Sequence, residues 1–199
     1  MVVRRVGVLA LQGDVREHRA VLERLGARVE LVRRPEQLHG LDALVIPGGE
    51  STTIAYLLTT SGLREPLAAA LNNGLVTFGT CAGLIMLADS ISDGRLDQWS
   101  YHQLDVDVRR NGYGRQLASF EATVDVRGVG PVPGVFIRAP RIERVGPDVE
   151  VWATYDHGDG THPVLVRQGS AWGCSFHPEL TTDARIHGLF LDAASEALR

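Results

Sequence analysis

The strongest candidate for a reactive side chain in this sequence is Cys81, which stands in Gly79-Thr80-Cys81-Ala82-Gly83 between an apolar run and a helical pattern. With serine in place of cysteine, the form G-x-C-x-G is that of a nucleophile elbow. The glycines permit a tight strand-to-helix turn that raises the side chain above a sheet, where the helix N-terminus favours thiolate over thiol. A buried structural cysteine is the alternative, because cysteine is often buried. The loop context favours a nucleophile.

A second reactive group is the tripeptide His177-Pro178-Glu179, which follows the strand-like stretch Trp172-Gly173-Cys174-Ser175-Phe176. Proline holds the preceding residue in an extended conformation, and residues i and i+2 of an extended chain point to the same side. Glu179 is therefore placed to orient His177, and a histidine oriented in this way can deprotonate a nucleophile. The alternative is a surface turn with an incidental histidine.

The second cysteine and the other histidines carry weaker signals. Cys174 and His177 have the Cys-x-x-His spacing of some zinc sites, but the sequence holds no second cysteine pair to complete one. In a regular strand Cys174 lies on the face opposite His177, so we predict a core cysteine and no metal. The remaining histidines have no partner in a motif and are expected at solvent or helix-face positions: His18, His39, His102, His157, His162 and His187.

Three glycine-containing turns follow apolar runs in the first half of the chain: Leu11-Gln12-Gly13, Pro47-Gly48-Gly49-Glu50-Ser51 and the elbow around Cys81. Ligands of open α/β sheets bind outside the carboxyl ends of the parallel strands, so these turns should converge on one site. The second turn lacks the lysine of a Walker loop. We therefore interpret its glycine N–H groups as donors of an oxyanion hole, together with the N–H of Ala82.

The elements that must position these residues alternate between short apolar runs and helical patterns as far as about residue 90. Strands are expected over 5–11, 28–32, 41–46 and 75–78, and helices over 15–25, 51–58 (capped by Ser51 or Thr52), 67–72 and 82–89. This alternation predicts βαβ crossovers and a parallel sheet. The second half, including a strand over 171–177, is expected to add antiparallel strands at one edge before a final helix. We predict one α/β domain over 1–199, with an open, mostly parallel sheet flanked by helices.

The composition is that of an ordinary globular domain, with 199 residues, 44% of them apolar and 22% charged. A net charge of -4 argues against a nucleic-acid surface, which needs a clustered basic excess. No apolar run approaches the ~20 residues of a membrane-spanning helix, and a core strand explains the first residues better than a signal peptide does. Two cysteines do not make a disulfide framework for a domain of this size. We expect a cytoplasmic enzyme with no nucleic-acid or membrane partner.

Taken together, these motifs resemble those of class I glutamine amidotransferases, and specifically the glutaminase subunits of pyridoxal 5'-phosphate synthase. The elbow and the His-Pro-Glu tripeptide are shared by the whole class. The stretches typical of the narrower family are Leu11-Gln12-Gly13, Arg110-Asn111-Gly112-Tyr113-Gly114-Arg115-Gln116 and Phe136-Ile137-Arg138-Ala139-Pro140, whereas residues 98–104 depart from its pattern. The resemblance implies a flavodoxin-like fold and hydrolysis of L-glutamine to L-glutamate and ammonia, without a cofactor or a metal.

The resemblance also implies a role for each site residue. Cys81 is the nucleophile, His177 the general base and acid, and Glu179 its orienting partner. Substrate contacts are implied for Gly49, Glu50, Ser51, Arg110, Ile137 and Arg138. Oxyanion donors are implied at Gly49 and Ala82, and the turn at Gln12 and Gly13 completes the oxyanion hole when the synthase subunit docks, since glycine lets a peptide flip at little cost. That synthase subunit then uses the ammonia to make pyridoxal phosphate.

Two other interpretations stay open. One is the glutaminase of another amidotransferase, such as imidazole glycerol phosphate synthase, which has the same triad but lacks the family-specific stretches. The other is a catalytically silent module that regulates a synthase, against which the intact triad speaks.

Overall fold

The computed structural model describes residues 4–95, 97–112, 119–158 and 160–197. The strands of these ranges are, in chain order, β1 (Arg5–Leu9), β2 (Arg28–Val32), β3 (Ala43–Ile46), β4 (Val76–Thr80), β5 (Ala88–Ile91), β6 (Leu104–Arg109), β7 (Ser119–Val126), β8 (Gly130–Ile137), β9 (Arg141–Val145), β10 (Glu150–Asp156), β11 (Thr161–Gln168) and β12 (Ala171–Cys174). The helices are α1 (Val15–Arg24), α2 (Ser51–Thr60), α3 (Arg64–Asn72), α4 (Ala82–Leu87) and α5 (Arg185–Glu196), and 3₁₀ turns cover Pro35–Leu38 and Pro178–Leu180. Residues 113–116 of the arginine-containing motif lie outside the described residues.

One nine-stranded sheet runs through the molecule in the order β2-β1-β3-β4-β12-β11-β10-β7-β8. The five strands from β2 to β12 are parallel to one another. The strands from β11 to β8 extend the sheet by antiparallel pairing. The predicted α/β fold, with a parallel sheet and added antiparallel strands, is confirmed.

The strand β12 is not at the antiparallel edge, where the sequence pattern predicts it. It pairs in parallel with β4 at the centre of the sheet, with Cys174 beside Thr80. All of its residues are buried, as is usual for a central parallel strand covered on both faces. This position brings the chain after β12 to the same sheet edge as the turn after β4.

A second, smaller sheet has the order β5-β6-β9. The sequence pattern predicted a helix where β5 begins and did not predict a second sheet. The helix α4 ends at Leu87 and β5 begins at Ala88, so no turn residue separates them and the apolar run reads as one helix over 82–89.

Strand alternation divides the core into two layers. Along β3, Leu44 and Ile46 face the layer that also holds residues of α2, α3 and α4. Ala43 and Val45 face the opposite layer, which includes Phe190 of α5. Fully burying one large apolar side chain stabilises a fold by about 1.5–3 kcal/mol, so the two layers hold the sheet between its helices. None of the described helices is long and apolar enough to cross a membrane.

The first βα connection leaves room for functional residues. The strand β1 ends at Leu9 and α1 begins at Val15, so the predicted strand over 5–11 is two residues too long. Gly26, with a φ of 85°, follows α1 in the left-handed conformation that glycine adopts without strain. The intervening residues form a loop at the carboxyl edge of the sheet.

Candidate active site

The turns at the carboxyl ends of β1, β3 and β4 meet, as a parallel arrangement predicts. The carbonyl of Gly48, after β3, accepts a hydrogen bond from the Asp14 N–H over 3.3 Å. The Gly48 N–H donates to Thr80 Oγ1 over 3.1 Å, and the Glu50 N–H donates to Gln12 Oε1 over 2.8 Å. The three turns therefore hold one another in place.

Cys81 lies in a strained turn between β4 and α4. Its φ of 49° and ψ of -104° are unusual for a residue with a Cβ, and such strain clusters at functional sites. Backbone hydrogen bonds hold it: the Cys81 N–H donates to the Cys174 carbonyl over 2.8 Å, and the Ile85 N–H donates to the Cys81 carbonyl over 3.3 Å. A Cβ at Gly79 or Gly83 would overlap neighbouring backbone atoms. The turn has the geometry of a nucleophile elbow.

His177 stands beside this cysteine, and its backbone N–H donates to the Val135 carbonyl over 2.8 Å. Its Nδ1–H faces two carboxylates, Glu179 Oε1 at 2.7 Å and Asp14 Oδ2 at 3.2 Å. Burial lowers the pKa of His177, but hydrogen bonds to Asp14, Cys81 and Glu179 outweigh burial and raise that pKa above its ordinary value. A protonated imidazole is thereby favoured next to the thiol.

Two further histidines form a buried network behind this group. His18 of α1 and His187 of α5 are fully buried, and His18 Nδ1 lies 3.0 Å from His187 Nε2. His18 Nε2 lies 3.0 Å from Thr80 Oγ1 and 3.4 Å from Glu179 Oε1. The expectation that His18 and His187 lack chemical partners is wrong, because their partners come from distant parts of the sequence.

Sequence reasoning also missed Asp14 and Gln98. Asp14 directly follows the Gln12-Gly13 turn and stands four residues before His18, a spacing that places both on one helix face; this spacing was the available signal. Gln98 lies in the stretch that departs from the family pattern, and its Nε2 donates to Ser51 Oγ over 2.9 Å. No sequence signal could have indicated that contact.

A cavity of about 390 Å³ opens beside Cys81 and His177, a volume typical of small-molecule sites. Gln12 and all six residues expected to contact the substrate line it: Gly49, Glu50, Ser51, Arg110, Ile137 and Arg138. Ala82 directly follows Cys81 at the start of α4, and Gly13 directly follows Gln12. The structure thus brings the expected nucleophile, histidine and substrate contacts to one cavity.

Glu50 and Arg110 form an ion pair in this cavity, with 2.7 Å between Oε1 and Nη2. The Glu50 side chain also caps α2, accepting from the N–H groups of Thr52 (3.2 Å) and Thr53 (2.7 Å). The predicted cap, Ser51 or Thr52, is wrong, because Glu50 is the residue that precedes the first turn. Burial raises the pKa of Glu50, but the hydrogen bonds from Thr52 and Thr53 outweigh burial and lower it to about 2.

These hydrogen bonds predict a pH-dependent contribution of Glu50 to stability. The pKa of Glu50 falls from its ordinary value of 4.5 to about 2 on folding, so its ionised form stabilises the fold above pH 4.5 and this stabilisation is lost towards pH 2. A glutamine cannot titrate. We expect the difference in free energy of unfolding between wild type and Glu50→Gln, measured by urea unfolding, to shrink across that range. A constant difference would contradict the assignment.

One group of described side chains has donors close enough to hold a metal ion: Asp14, His177 and Glu179, whose ligand atoms lie within 4.8 Å of one another. His177 Nδ1 donates to Glu179 Oε1 over 2.7 Å and lies 3.2 Å from Asp14 Oδ2. A metal would require that nitrogen without its proton, whereas two carboxylates favour the proton there. The arrangement fits proton transfer better than metal binding, and the absence of a metal requirement stays a prediction.

Cys174 lies fully buried at the end of β12. Burial raises the pKa of its thiol well above the ordinary value, so the neutral form packs in the core. We expect Cys174→Ala to leave kcat for the expected glutamine hydrolysis nearly unchanged and to lower the free energy of unfolding by about 1–2 kcal/mol through the small cavity it leaves. A turnover assay and urea unfolding check both parts. A loss of turnover as large as that of a Cys81 variant would show that Cys174 takes part in the chemistry.

Gly13 is constrained more tightly than any sequence argument indicates. Its φ of 96° favours glycine, and an added Cβ would overlap the carbonyl oxygen of Gly48. We expect Gly13→Ala to displace the turn at Gly48 and Gly49 and to lower kcat by about 10²-fold or more, the usual cost of losing one oxyanion donor. Steady-state glutamate release measures this loss.

Gly26→Ala is the matched control for that variant. Gly26 also has a positive φ, 85°, but an added Cβ there meets nothing within 4 Å. It should therefore share the backbone strain of Gly13→Ala and keep the wild-type kcat. Equal losses of kcat in the two variants would mean that strain alone, and not the contact with Gly48, explains the effect.

Comparison with known proteins identifies the family. The model of the SNO glutamine amidotransferase family matches residues 8–196. The pyridoxal 5'-phosphate synthase subunit PdxT of Streptomyces avermitilis is 58% identical over 189 residues, covering 94% of this chain and 92% of that protein. The PdxT subunit of Clavibacter sepedonicus is 56% identical over 196 residues, covering 98% of this chain and 92% of that protein.

Solved structures agree with this comparison. A crystal structure of a glutamine amidotransferase has a TM-score of 0.89 and 50% sequence identity, covering 96% of this chain and 98% of that chain. A chain in the structure of PurLQS from Thermotoga maritima, at 16% identity and a TM-score of 0.71, covers 100% of both chains and shares the fold alone. The family model spans most of the chain, and the PdxT relatives are more than half identical to it. The chain therefore belongs to the SNO glutamine amidotransferase family.

Proposed function

We propose that this chain hydrolyses L-glutamine to L-glutamate and ammonia, and that it supplies the ammonia to the synthase subunit of pyridoxal 5'-phosphate synthase. The PdxT relatives, which are subunits of that synthase, support the pathway. The observation that carries the chemistry is Cys81 on its strained turn, in the same cavity as a histidine that Glu179 orients. Residues 1–199 act as one glutaminase domain. Both cysteines are free thiols, which suits the cytoplasm.

The ion pair at the cavity wall suits the charged end of glutamine. Arg110 offers a cation to the α-carboxylate and Glu50 an anion to the α-ammonium group, 2.7 Å from each other. Ser51, Ile137 and Arg138 line the rest of the cavity. Binding the charged end there directs the side-chain carboxamide towards Cys81.

In the first half-reaction, the Cys81 thiolate attacks the carboxamide carbon, forming a C–S bond and moving an electron pair onto the oxygen. The N–H groups of Gly49 and Ala82 stabilise this oxyanion, and one such donor is worth about 3–4 kcal/mol. Because carboxylates hold His177 Nδ1–H, Nε2 is the nitrogen that donates a proton to the leaving amine. The C–N bond breaks, ammonia departs and a glutamyl thioester remains.

In the second half-reaction, water attacks the thioester. His177 Nε2 accepts the proton of that water, and collapse of the tetrahedral intermediate breaks the C–S bond and releases glutamate. The turn at Gln12 and Gly13 completes the oxyanion hole when the synthase subunit docks. No metal or cofactor takes part in either half-reaction.

Glutamate release by the isolated chain and by its mixture with the pyridoxal phosphate synthase subunit tests this proposal. We expect weak activity without the partner and a marked rise in the mixture. The synthase subunit of imidazole glycerol phosphate synthase is the mismatched control and should cause no rise. A rise caused only by that mismatched partner would assign the chain to that enzyme, and no turnover in any mixture would make it a silent regulatory module.

A further inference from the structure

His18 is a buried histidine for which the proposed mechanism has no role. It lies on α1, fully buried, and its two ring nitrogens both have polar neighbours. Nε2 is 3.4 Å from Glu179 Oε1 and 3.0 Å from Thr80 Oγ1, and Nδ1 is 3.0 Å from His187 Nε2. A buried imidazole with these neighbours connects the acid that orients His177 to the residue that precedes Cys81.

The neighbours of the two rings decide which His18 nitrogen carries a proton. A bare Nε2 would place a lone pair against the buried Glu179 carboxylate, whereas an N–H there donates to it. His18 Nδ1 is then free to accept from the His187 Nε2–H, which leaves His187 Nδ1 as a bare acceptor. That atom is buried and has no hydrogen-bond partner, and a buried bare acceptor is a smaller loss than a buried unpaired N–H. Burial, together with the nearby His18, lowers the pKa of His187 to about 3, so that ring stays neutral.

We propose, on the basis of the glutaminase function above, that His18 is a positioning residue, whose Nε2–H donates to the Glu179 carboxylate and to Thr80 Oγ1 and so holds the triad acid in place behind His177. Glu179 Oε1 then has two N–H groups beside it, with His177 Nδ1–H donating over 2.7 Å and His18 Nε2 lying 3.4 Å away. Thr80 Oγ1 also accepts the Gly48 N–H, which ties the same network to the loop that carries Gly49.

This contact acts on the ionisation of Glu179. Burial raises the pKa of that carboxyl, but the His18 Nε2–H that faces it and the hydrogen bond from His177 outweigh burial and lower it. Without the His18 donor, Glu179 takes up a proton at higher pH and no longer holds the protonated His177. The acidic limb of the pH–rate profile should therefore move to higher pH.

The titration of Glu179 depends on charged and titratable groups from more than one element. On its own segment His177 donates to it, and Asp14 at the start of α1 competes for the same proton. Among the described residues, the titratable groups that face Glu179 directly or through these contacts include Asp14, His18, Arg24, Cys81, Cys174, His177 and His187. A His18 variant changes one member and leaves the others in place.

The test compares His18→Leu with His18→Gln in the complex with the synthase subunit. Leucine removes the donor and keeps a side chain of moderate size, whereas the glutamine amide can place an N–H close to where Nε2 lies. We expect His18→Leu to lower kcat by about 10–100-fold, the usual cost of removing the partner that orients a reacting group, with KM little changed. Its acidic limb should move up by about one pH unit, and His18→Gln should restore most of kcat and the original limb.

Leu22→Ala is the matched control, because Leu22 lies one turn further along the same buried face of α1 and is fully buried. It should lower the melting temperature without moving the acidic limb. The rate of Cys81 alkylation by iodoacetamide gives a second pH profile that needs no glutamine, with the labelled peptide identified by mass spectrometry. His18→Leu should move its acidic limb as well, while Leu22→Ala should not.

A His18→Leu enzyme that hydrolyses glutamine with both acidic limbs in place would overturn the role of His18 and leave the proposed function standing. A second outcome is that the acidic limb of the Cys81 alkylation rate moves in His18→Leu although the wild-type protein does not hydrolyse glutamine. This result would support the positioning role of His18 and reject the proposed glutaminase function. Nitrogen-15 NMR of labelled wild-type protein needs no variant to fold. Protonated Nε2 of His18 is the expected result, and a neutral ring with its proton on Nδ1 alone would refute the proposal.

Discussion

Replacing Cys81 with alanine is expected to lower kcat for glutamine hydrolysis by about 10⁵-fold or more, which is the scale of loss when a covalent nucleophile is removed from a triad. The fold should survive, because the turn is held by the backbone. The Cys81 N–H donates to the Cys174 carbonyl, and the Ile85 N–H donates to the Cys81 carbonyl. Glutamate release with the synthase subunit present measures the loss, and circular dichroism checks the fold. Turnover retained by a clean Cys81→Ala preparation would reject Cys81 as the nucleophile.

A comparison of Cys81→Ala with Cys81→Gly separates the chemistry of this residue from its backbone strain. Both variants lack the sulfur, so both should be inactive. At an ordinary position glycine is less stable than alanine by about 0.5–1 kcal/mol. At Cys81, with φ at 49° and ψ at -104°, glycine relieves strain of about 1–3 kcal/mol. The glycine variant should therefore unfold at a higher urea concentration than the alanine variant, and the reverse order would show that this turn is not strained.

The elbow could be predicted from sequence because its signals are local. Gly79 and Gly83 flank Cys81 between an apolar strand and a helix, and each glycine has a short-range backbone reason to be there. The same is true of the parallel strands β1, β3 and β4, whose apolar runs end at glycine-containing turns. From those turns alone, general rules for open α/β sheets place the site at one edge.

The remaining features depend on contacts that no spacing encodes. The central place of β12 depends on its pairing with β4, and its four residues read equally well as an edge strand until both faces are seen to be covered. Ser51 and Thr52 were predicted to cap α2 because they are of the common capping types. In the structure the cap is Glu50, which accepts two backbone N–H groups and binds Arg110. Tertiary structure decides both cases.

The surroundings of His177 also include contacts that the sequence could not indicate. A Glu two residues after a His predicts one orienting carboxylate, and the structure places Glu179 Oε1 2.7 Å from His177 Nδ1. It also places a second carboxylate, Asp14, 3.2 Å from that nitrogen. His18 Nε2 in turn lies 3.4 Å from Glu179 Oε1. Asp14 directly precedes α1 and His18 lies on it, more than 150 residues earlier in the chain. The sequence alone therefore predicts a triad, and the structure places these residues in a larger network.

The second prediction with a large expected effect ranks His177→Asn against Glu179→Gln, and Asp14 is the reason for the difference between them. His177→Asn should lower kcat by about 10⁶-fold, because in the proposed mechanism His177 moves a proton in both half-reactions. Glu179→Gln should lower it by about 10²–10⁴-fold, as other orienting acids do. Asp14 still holds the Nδ1–H in that variant. The ranking is the claim, and kcat values in the reverse order would reject the roles assigned to His177 and Glu179.

Removing both carboxylates should show what Asp14 contributes. We expect Asp14→Asn alone to be mild, and the double variant Asp14→Asn with Glu179→Gln to lose far more activity than the two single losses combined, since neither carboxylate then opposes the charge of His177. The raised pKa of His177 rests on hydrogen bonds to Asp14, Cys81 and Glu179. That pKa should therefore fall in the double variant. Protonated His177 is then lost at lower pH, so the basic limb of the kcat profile should move to lower pH, further in the double variant than in either single one. Losses that simply multiply, with an unmoved basic limb, would show that Glu179 alone orients the histidine.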